Sequence, residues 1–237
     1  MNSNESDILI YILYHNHESY KLALNFEKFK WAKLRKIYSS KYFESNIFLY
    51  LDNNRNEWIN KKFVGILTYN SYKKVKLFDI DLLAKKYHNY DLIPFNNYYN
   101  NPLLIVSEYY HPSFINIWEK LLLLMNYDIN DILSLKIPAF YNNYWMAKPE
   151  WIIKYIDFYK KVVNIMENNN DLKTMLNQNS KYTGKLLEYP EILIKICSRP
   201  YYTFHPFIIE RIVCFFFWVH KAKIYQPKLF TDPLLKI

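Results

Sequence analysis

Glycine is almost missing from this chain: Gly65 and Gly184 are the only two in 237 residues. The two common phosphate loops, G-x-x-x-x-G-K-[ST] and G-x-G-x-x-G, need glycines at fixed offsets so that backbone N–H groups can approach a phosphate. Neither can be written here, which removes the kinase, P-loop hydrolase and ordinary dinucleotide-binding readings. Cysteine is equally sparse. Cys197 and Cys214 match no zinc or redox spacing and read as buried thiols in a reducing compartment. Long apolar runs are also lacking. The longest, Ile212 to Val219, falls well short of the roughly 20 residues that cross a bilayer. The start is polar, with Glu5 and Asp7, so neither a signal peptide nor a transmembrane segment is expected. The six histidines form no constellation: His15 and His17 are too close to share a helix face, and the others are scattered, so no catalytic triad or zinc site follows.

What the chain does have is ordinary for a globular protein: 51% hydrophobic and 22% charged residues. It is rich in Asn, Lys, Ile, Tyr and Phe, the bias expected of an AT-rich coding sequence. The net charge of +9 is therefore in part codon bias, and the basic residues are spread along the chain. Nucleic-acid binding calls for clustering on one face.

Strand-like and helix-like segments alternate. "DILIYILY" (Asp7 to Tyr14) is a short apolar run ending in a polar cluster, as a buried parallel strand ends at a site. Helical spacing follows from about Ser19, and again through Tyr42, Phe43, Ile47, Tyr50 and Leu51. "KKFVGILTYN" and "YDLIPF" read as further strands, "PSFINIWEKLLLLMNY" as a helix, and "IPAFYNNYWMAK" as strand-like. Pro149 opens an amphipathic helix with Trp151, Ile152, Tyr155, Ile156, Tyr159, Val162 and Val163 on one stripe. The polar stretch "ENNNDLKTMLNQNSKYTGK" reads as a surface excursion or short helix, and Pro206 opens the last helix. This alternation predicts a single α/β domain over residues 1–237, with a core from about 8 to 224.

Four local features invite chemistry. In "AFYNNYWMAKPEW", Asn142 and Asn143 stand among aromatics just before a helix, as a turn or as amides facing a polar ligand. Glu210 has Pro206, Phe207, Val213 and Cys214 at helical spacing, so its carboxylate faces protein or a cleft, as structural glue or as a general base. Neighbours one apart on a helix do not face each other, so no pairing with Arg211 is expected. Asp79 and Asp81 can share a divalent cation (Mn or Mg), or Asp79 can cap the helix that follows. Lys73, Lys74 and Lys76 form a small basic cluster beyond the second strand, as a solvated edge or as phosphate ligands.

Three blocks in order carry a resemblance. "VGILTYNSY" is similar to a Gly-Leu-x-His-Tyr-Arg-Arg-Tyr-like strand through Gly65, Leu67, Tyr69 and Tyr72, with Thr68 in the His position and Asn70 and Ser71 replacing the Arg pair. "FYNNYWMAKPEW" is similar to an Asn-Met-Phe-Ile-Met-Lys block through Asn143, Met146 and Lys148. "HPFIIERIVCFF" is similar to a Phe-x-x-Glu-Arg block through Phe207, Glu210 and Arg211. Together they resemble small bacterial and viral glycosyltransferases of GT-A type, and the composition resembles proteins of giant DNA viruses that build their own glycans.

The resemblance implies a GT-A-like mixed sheet flanked by helices, and transfer of a sugar from a nucleotide-sugar to a glycan or hydroxyl acceptor. It implies donor contacts from Tyr14, His15, Asn16, Tyr69, Lys73 and Lys74, and acceptor contacts from Asn142, Trp145, His205 and Arg211. It puts Glu210 and Asn143 at the chemistry. The expected setting is cytoplasmic (host cytoplasm for a viral protein), without nucleic acid. Two alternatives stay open: a non-catalytic glycan-binding relative, and a basic nucleic-acid-binding or virion structural protein.

Overall fold

The computed structural model describes residues 6–71, 80–95, 103–129, 137–140 and 143–225. Its centre is a five-stranded mixed sheet in the order β2-β1-β3-β5-β4. Strands β1 (Ile8–Tyr14) and β3 (Phe63–Thr68) are almost entirely buried and parallel, with Ile10 opposite Gly65. Both are apolar on both faces, as strands covered on two sides must be. β2 (Ala32–Lys36) adds in parallel at one edge. Its sequence, Ala-Lys-Leu-Arg-Lys, carries too little apolar pattern to announce a strand, and those charges blunt the exposed edge. On the other side, β5 (Trp145–Ala147) runs antiparallel to both β3 and β4 (Leu92–Pro94).

Side-chain alternation divides the interior into two layers. Leu9, Tyr11 and Leu13, with Val64, Ile66, Trp145 and Ala147, point into the larger core. That core is completed by helices α2 (Ile47–Asn53), α5 (Phe114–Leu124), α6 (Pro149–Asn168), α7 (Asn170–Leu176) and α9 (His205–Val219). Ile8, Ile10 and Ile12, with Phe63, Leu67, Ile93 and Met146, face a thinner layer. There Ala23 of α1 (His17–Ala23) and Leu83 of α3 (Ile80–Lys86) cover the sheet. The expected α/β architecture, a mixed sheet flanked by helices, is what forms.

Helix α6 begins at Pro149, whose fixed φ and missing N–H suit the first helical position. Ile152, Tyr155, Ile156, Tyr159 and Val162 of the expected stripe are fully buried. The polar stretch after it forms α7, capped by the Asn169 side chain on the Leu172 N–H (2.9 Å), with Leu172 and Leu176 buried. Two further helices had no clear signal: α4 (Leu103–Tyr110) and α8 (Pro190–Cys197). Among the described residues no helix is long and apolar enough to cross a membrane.

Candidate functional site

The chain leaves β1 toward β2 on one side and then returns to lay β3 on the other. Loops after β1 and β3 therefore diverge, and the crevice beyond their carboxyl ends is where open α/β sheets bind ligands. A cleft of about 810 Å³ lies there. His15 follows β1 into it, Thr68, Tyr69 and Asn70 close β3 into it, and Asn143 and Tyr144 enter it just ahead of the antiparallel β5. The 3₁₀ turn at Phe43–Asn46 supplies Phe43, Glu44 and Ser45. Helix α4 supplies Ile105, Val106, Tyr109 and Tyr110, and α9 supplies Phe207, Glu210 and Arg211.

The sheet side of the cleft is polar and tightly connected. Thr68 Oγ1 lies 2.7 Å from Asn70 Oδ1 and 2.6 Å from the Tyr144 hydroxyl. Burial pushes the Tyr144 hydroxyl's pKa up, and the fields of Glu44 and Glu210 push it further. Asn143 has a left-handed backbone (φ 53°), a conformation in which Asn is tolerated better than most residues. Its Nδ2 donates to Ser45 Oγ at 3.1 Å, while its Oδ1 is buried with no hydrogen-bond partner among the described residues. The residue is only 4% exposed, so that carbonyl oxygen is costly to leave unsatisfied. Phe43 also sits at positive φ (48°), a strained state for a bulky residue, and the Ser45–Asn143 bond ties the two strained segments together.

Glu210 and Arg211 do pair, contrary to the expectation from helix geometry: Arg211 Nη1 lies 3.0 Å from Glu210 Oε2. The rule about adjacent residues concerns Cβ directions, and a long guanidinium can fold back past them. Arg211 is buried and also donates from Nε to Ser107 Oγ of α4 (2.7 Å) and from Nη1 to the Phe207 carbonyl (3.1 Å). The Glu210 side chain is 19% exposed in the cleft wall.

The helix side of the cleft is aromatic. His111 stacks on Phe207 at 3.9 Å, and Tyr182 packs on Phe207 (5.1 Å) and edge-on to Tyr202 (5.0 Å), which stacks with Phe43 (6.1 Å). Burial, and then the Arg211 charge, lower the His111 pKa to about 4, so its imidazole is neutral near pH 7. His15 sits edge-on to Tyr69 at 5.3 Å, and desolvation lowers its pKa too.

Of the residues singled out from the sequence, His15, Tyr69, Asn143, Glu210 and Arg211 share this cleft. Lys73, Lys74, Asp79 and Asn142 lie outside the described residues. Five others go elsewhere. Tyr14 packs on Tyr20 toward the thinner layer (5.1 Å). Asn16 caps α1, its Oδ1 accepting from the Ser19 N–H at 2.8 Å. Trp145 is 0% exposed and stacks with Phe48 in the main core, because strand alternation turns it away from the cleft. His205 is buried behind the cleft against Thr203 (3.1 Å) and Tyr42, its pKa lowered to about 3 chiefly by burial. Asp81 accepts from Ser6 Oγ (3.1 Å) at the opposite end of the sheet, beside the starts of β1 and β3.

Sequence reading did not find Glu44, Ser45, Asn70, His111, Tyr144, Tyr182 or the tyrosines of α4. Only Asn70 had a signal, as a polar residue standing in the Arg pair's place at a strand end. Among the described residues no group of three His, Cys, Asp or Glu side chains gathers to hold a metal ion. No family model, curated protein or solved structure matches the chain.

Proposed function

We propose that the cleft transfers a glycosyl unit from a nucleotide-sugar to a hydroxyl acceptor. The observation that carries this reading is the composition of a crevice at the switch point of an α/β sheet. Its described lining combines hydroxyl, amide and aromatic groups with two carboxylates and a single guanidinium. Sugars present apolar ring faces and hydroxyl edges, which such a surface matches. The three sequence blocks that resemble GT-A-type glycosyltransferases support it further, since Tyr69, Asn143 and the Glu210–Arg211 pair from separate blocks meet in one cleft.

In this reading the buried Asn143 Oδ1 accepts a hydrogen bond from a donor-sugar hydroxyl, and His15 and Tyr69 flank the nucleotide. Glu210 takes the proton of the acceptor hydroxyl as its oxygen bonds to the sugar's anomeric carbon. The bond from that carbon to the diphosphate oxygen breaks, and its electron pair leaves with the nucleoside diphosphate. Arg211 holds the Glu210 carboxylate in place. The described residues do not assemble a cation site in the cleft, since Asp81 is at the far end of the sheet, and no step is routed through a metal.

The test is a thermal-shift panel of nucleotide-sugars, bare nucleotides and single-stranded DNA, with and without manganese. A pyrimidine nucleoside diphosphate or its sugar conjugate should raise the melting temperature, by the equivalent of about 2.7 kcal/mol at a hundredfold excess over Kd. Stabilisation by single-stranded DNA alone would overturn the proposal in favour of a nucleic-acid-binding protein.

A further inference from the structure

We infer that the mouth of the cleft is a second saccharide subsite, built on α4, so that the acceptor is a neutral oligosaccharide rather than a single sugar or other small hydroxyl compound. This rests on the transfer reading for its chemistry, but its own evidence is separate. Tyr109 and Tyr110, 80% and 59% exposed, line the cleft from α4, and Tyr182, 43% exposed, lines it from the loop after α7. Large aromatics left this open to water have not been placed for core packing. Ile105 precedes Tyr109 by four residues and Val106 precedes Tyr110 by four, so α4 presents two adjacent apolar rows, both in the cleft lining.

The platform is fixed rather than loose. Ser107 of α4 accepts from Arg211 Nε at 2.7 Å, which ties the helix to α9. Glu108 accepts from the Ser113 N–H (2.7 Å) and the Ile115 N–H (2.8 Å), capping α5. His111, just beyond α4, stacks on Phe207 of α9. The exposed rings therefore stand at a fixed place relative to Glu210, one helical residue from Arg211.

Charge decides what lies on them. Aromatic rings flanked by cations suit nucleic-acid bases and phosphates, and aromatic rings with acceptors and hydroxyls but little positive charge suit sugar rings. The described lining holds Glu44 and Glu210 against Arg211 alone among its Asp, Glu, Lys and Arg residues. The cleft's volume of about 810 Å³ lies in the upper part of the range of about 300–1,000 Å³ for small-molecule pockets.

The experiment uses the full chain on an array of neutral mono- and oligosaccharides, acidic oligosaccharides and oligo(dT), with wild type, Tyr109→Ala/Tyr110→Ala and Tyr109→Phe/Tyr110→Phe. Wild type should bind a neutral oligosaccharide in preference to its monosaccharides. The alanine variant should lose roughly five- to tenfold per ring, while the phenylalanine variant retains the stacking. All three should show the same melting-temperature increase with nucleotide-sugar. Equal oligosaccharide binding by the alanine variant, preference for acidic glycans or oligo(dT), or no glycan bound at all would overturn the subsite. Tyrosine-dependent oligosaccharide binding without any nucleotide-sugar shift would leave the subsite standing and remove the transfer reading instead.

Discussion

The two ends of the sheet differ in how charge is arranged. Beyond the carboxyl ends of β1 and β3, the described residues of the cleft set two carboxylates beside one guanidinium among aromatic rings. At the opposite end, a larger groove of about 1330 Å³ is lined by five lysines and three carboxylates. Three of those lysines are held by neighbouring groups. Lys62 pairs with Asp7 at 2.6 Å, Lys61 donates to the Ser6 carbonyl at 3.0 Å, and Lys148 pairs with Asp91 at 2.9 Å. The smaller depression carries Asn143 Oδ1, buried without a partner among the described residues, the strained backbone and the partly buried Glu210–Arg211 pair. A net charge of +9 says little about the ligand when this groove nets only two positive charges and the described cleft lining holds two carboxylates against one guanidinium.

The comparison breaks first, and most strongly, at Glu210. Glu210→Gln keeps the shape but cannot take a proton, so turnover should fall about a hundredfold to ten-thousandfold. Arg211 keeps its bonds to Ser107 and the Phe207 carbonyl, so the loss of stability should stay near 1 kcal/mol. A loss of about 3–5 kcal/mol with little change in specific activity would instead make the pair structural glue. A variant both fully stable and fully active would sink both roles. Turnover and melting temperature must be read on the same preparation.

Next in size is Gly65, midway along the strand that joins the two ends. A Cβ there would come within 2.6 Å of the Trp145 carbonyl, 2.7 Å of Ile10 Cδ1 and 2.8 Å of Met146 Cβ. Backbone on one side leaves little room to yield, so Gly65→Ala should cost at least about 1–3 kcal/mol by urea unfolding. A neutral substitution would show that β3 and β5 can separate without cost. This also explains one feature of the strand block: its glycine answers to packing between strands, while its tyrosine, Tyr69, reaches the cleft.

How much could be read in advance follows from the kind of signal each element carries. β1, β3, α6 and α9 are long or strongly apolar, and burial on a regular period is written directly in their residues. β2 and α4 were invisible because an edge strand and a cleft-lining helix keep much of their surface toward water, which dilutes the periodic pattern. At the site, Asn143 and Glu210 were legible as polar residues in apolar company. Trp145 and His205 looked alike in sequence but face the core, and only strand alternation and helix phase decide which way such a side chain turns. Glu44 and Tyr144 line one cleft from distant segments, which no local pattern records.

The third effect sharpens the contrast through pH. His111 at the cleft has its folded pKa lowered from 6.5 to about 4. The unfolded chain takes up a proton as pH falls below about 6.5, and the folded protein does not until about 4. Stability from this group is therefore complete above 6.5 and lost between 6.5 and 4, amounting to about 2 kcal/mol at pH 5. Melting curves at pH 7.5 and pH 5 should show at least that loss in wild type, with His205, its pKa lowered to about 3, adding to it, and a loss smaller by about 2 kcal/mol in His111→Asn. An identical pH response in the variant would place the acid sensitivity elsewhere.

The smallest effect is expected at Asp81, and its smallness is the point. This carboxylate sits on α3 at the end of the sheet where β1 and β3 begin, with Ser6 Oγ as its hydrogen-bond donor at 3.1 Å. β1 is seven residues long, so at about 3.3 Å per residue its two ends are roughly 20 Å apart, far beyond the 2.0–2.6 Å of a metal–oxygen bond. Asp81→Asn should therefore leave nucleotide-sugar binding unchanged with manganese and with excess chelator alike. Its stability should move by no more than about 0.5 kcal/mol, the usual scale for an exposed polar substitution. If manganese-dependent binding exists and disappears in this variant, the basic end of the sheet, and not the aromatic cleft, holds the donor. The assignment of the two ends would then have to be reversed.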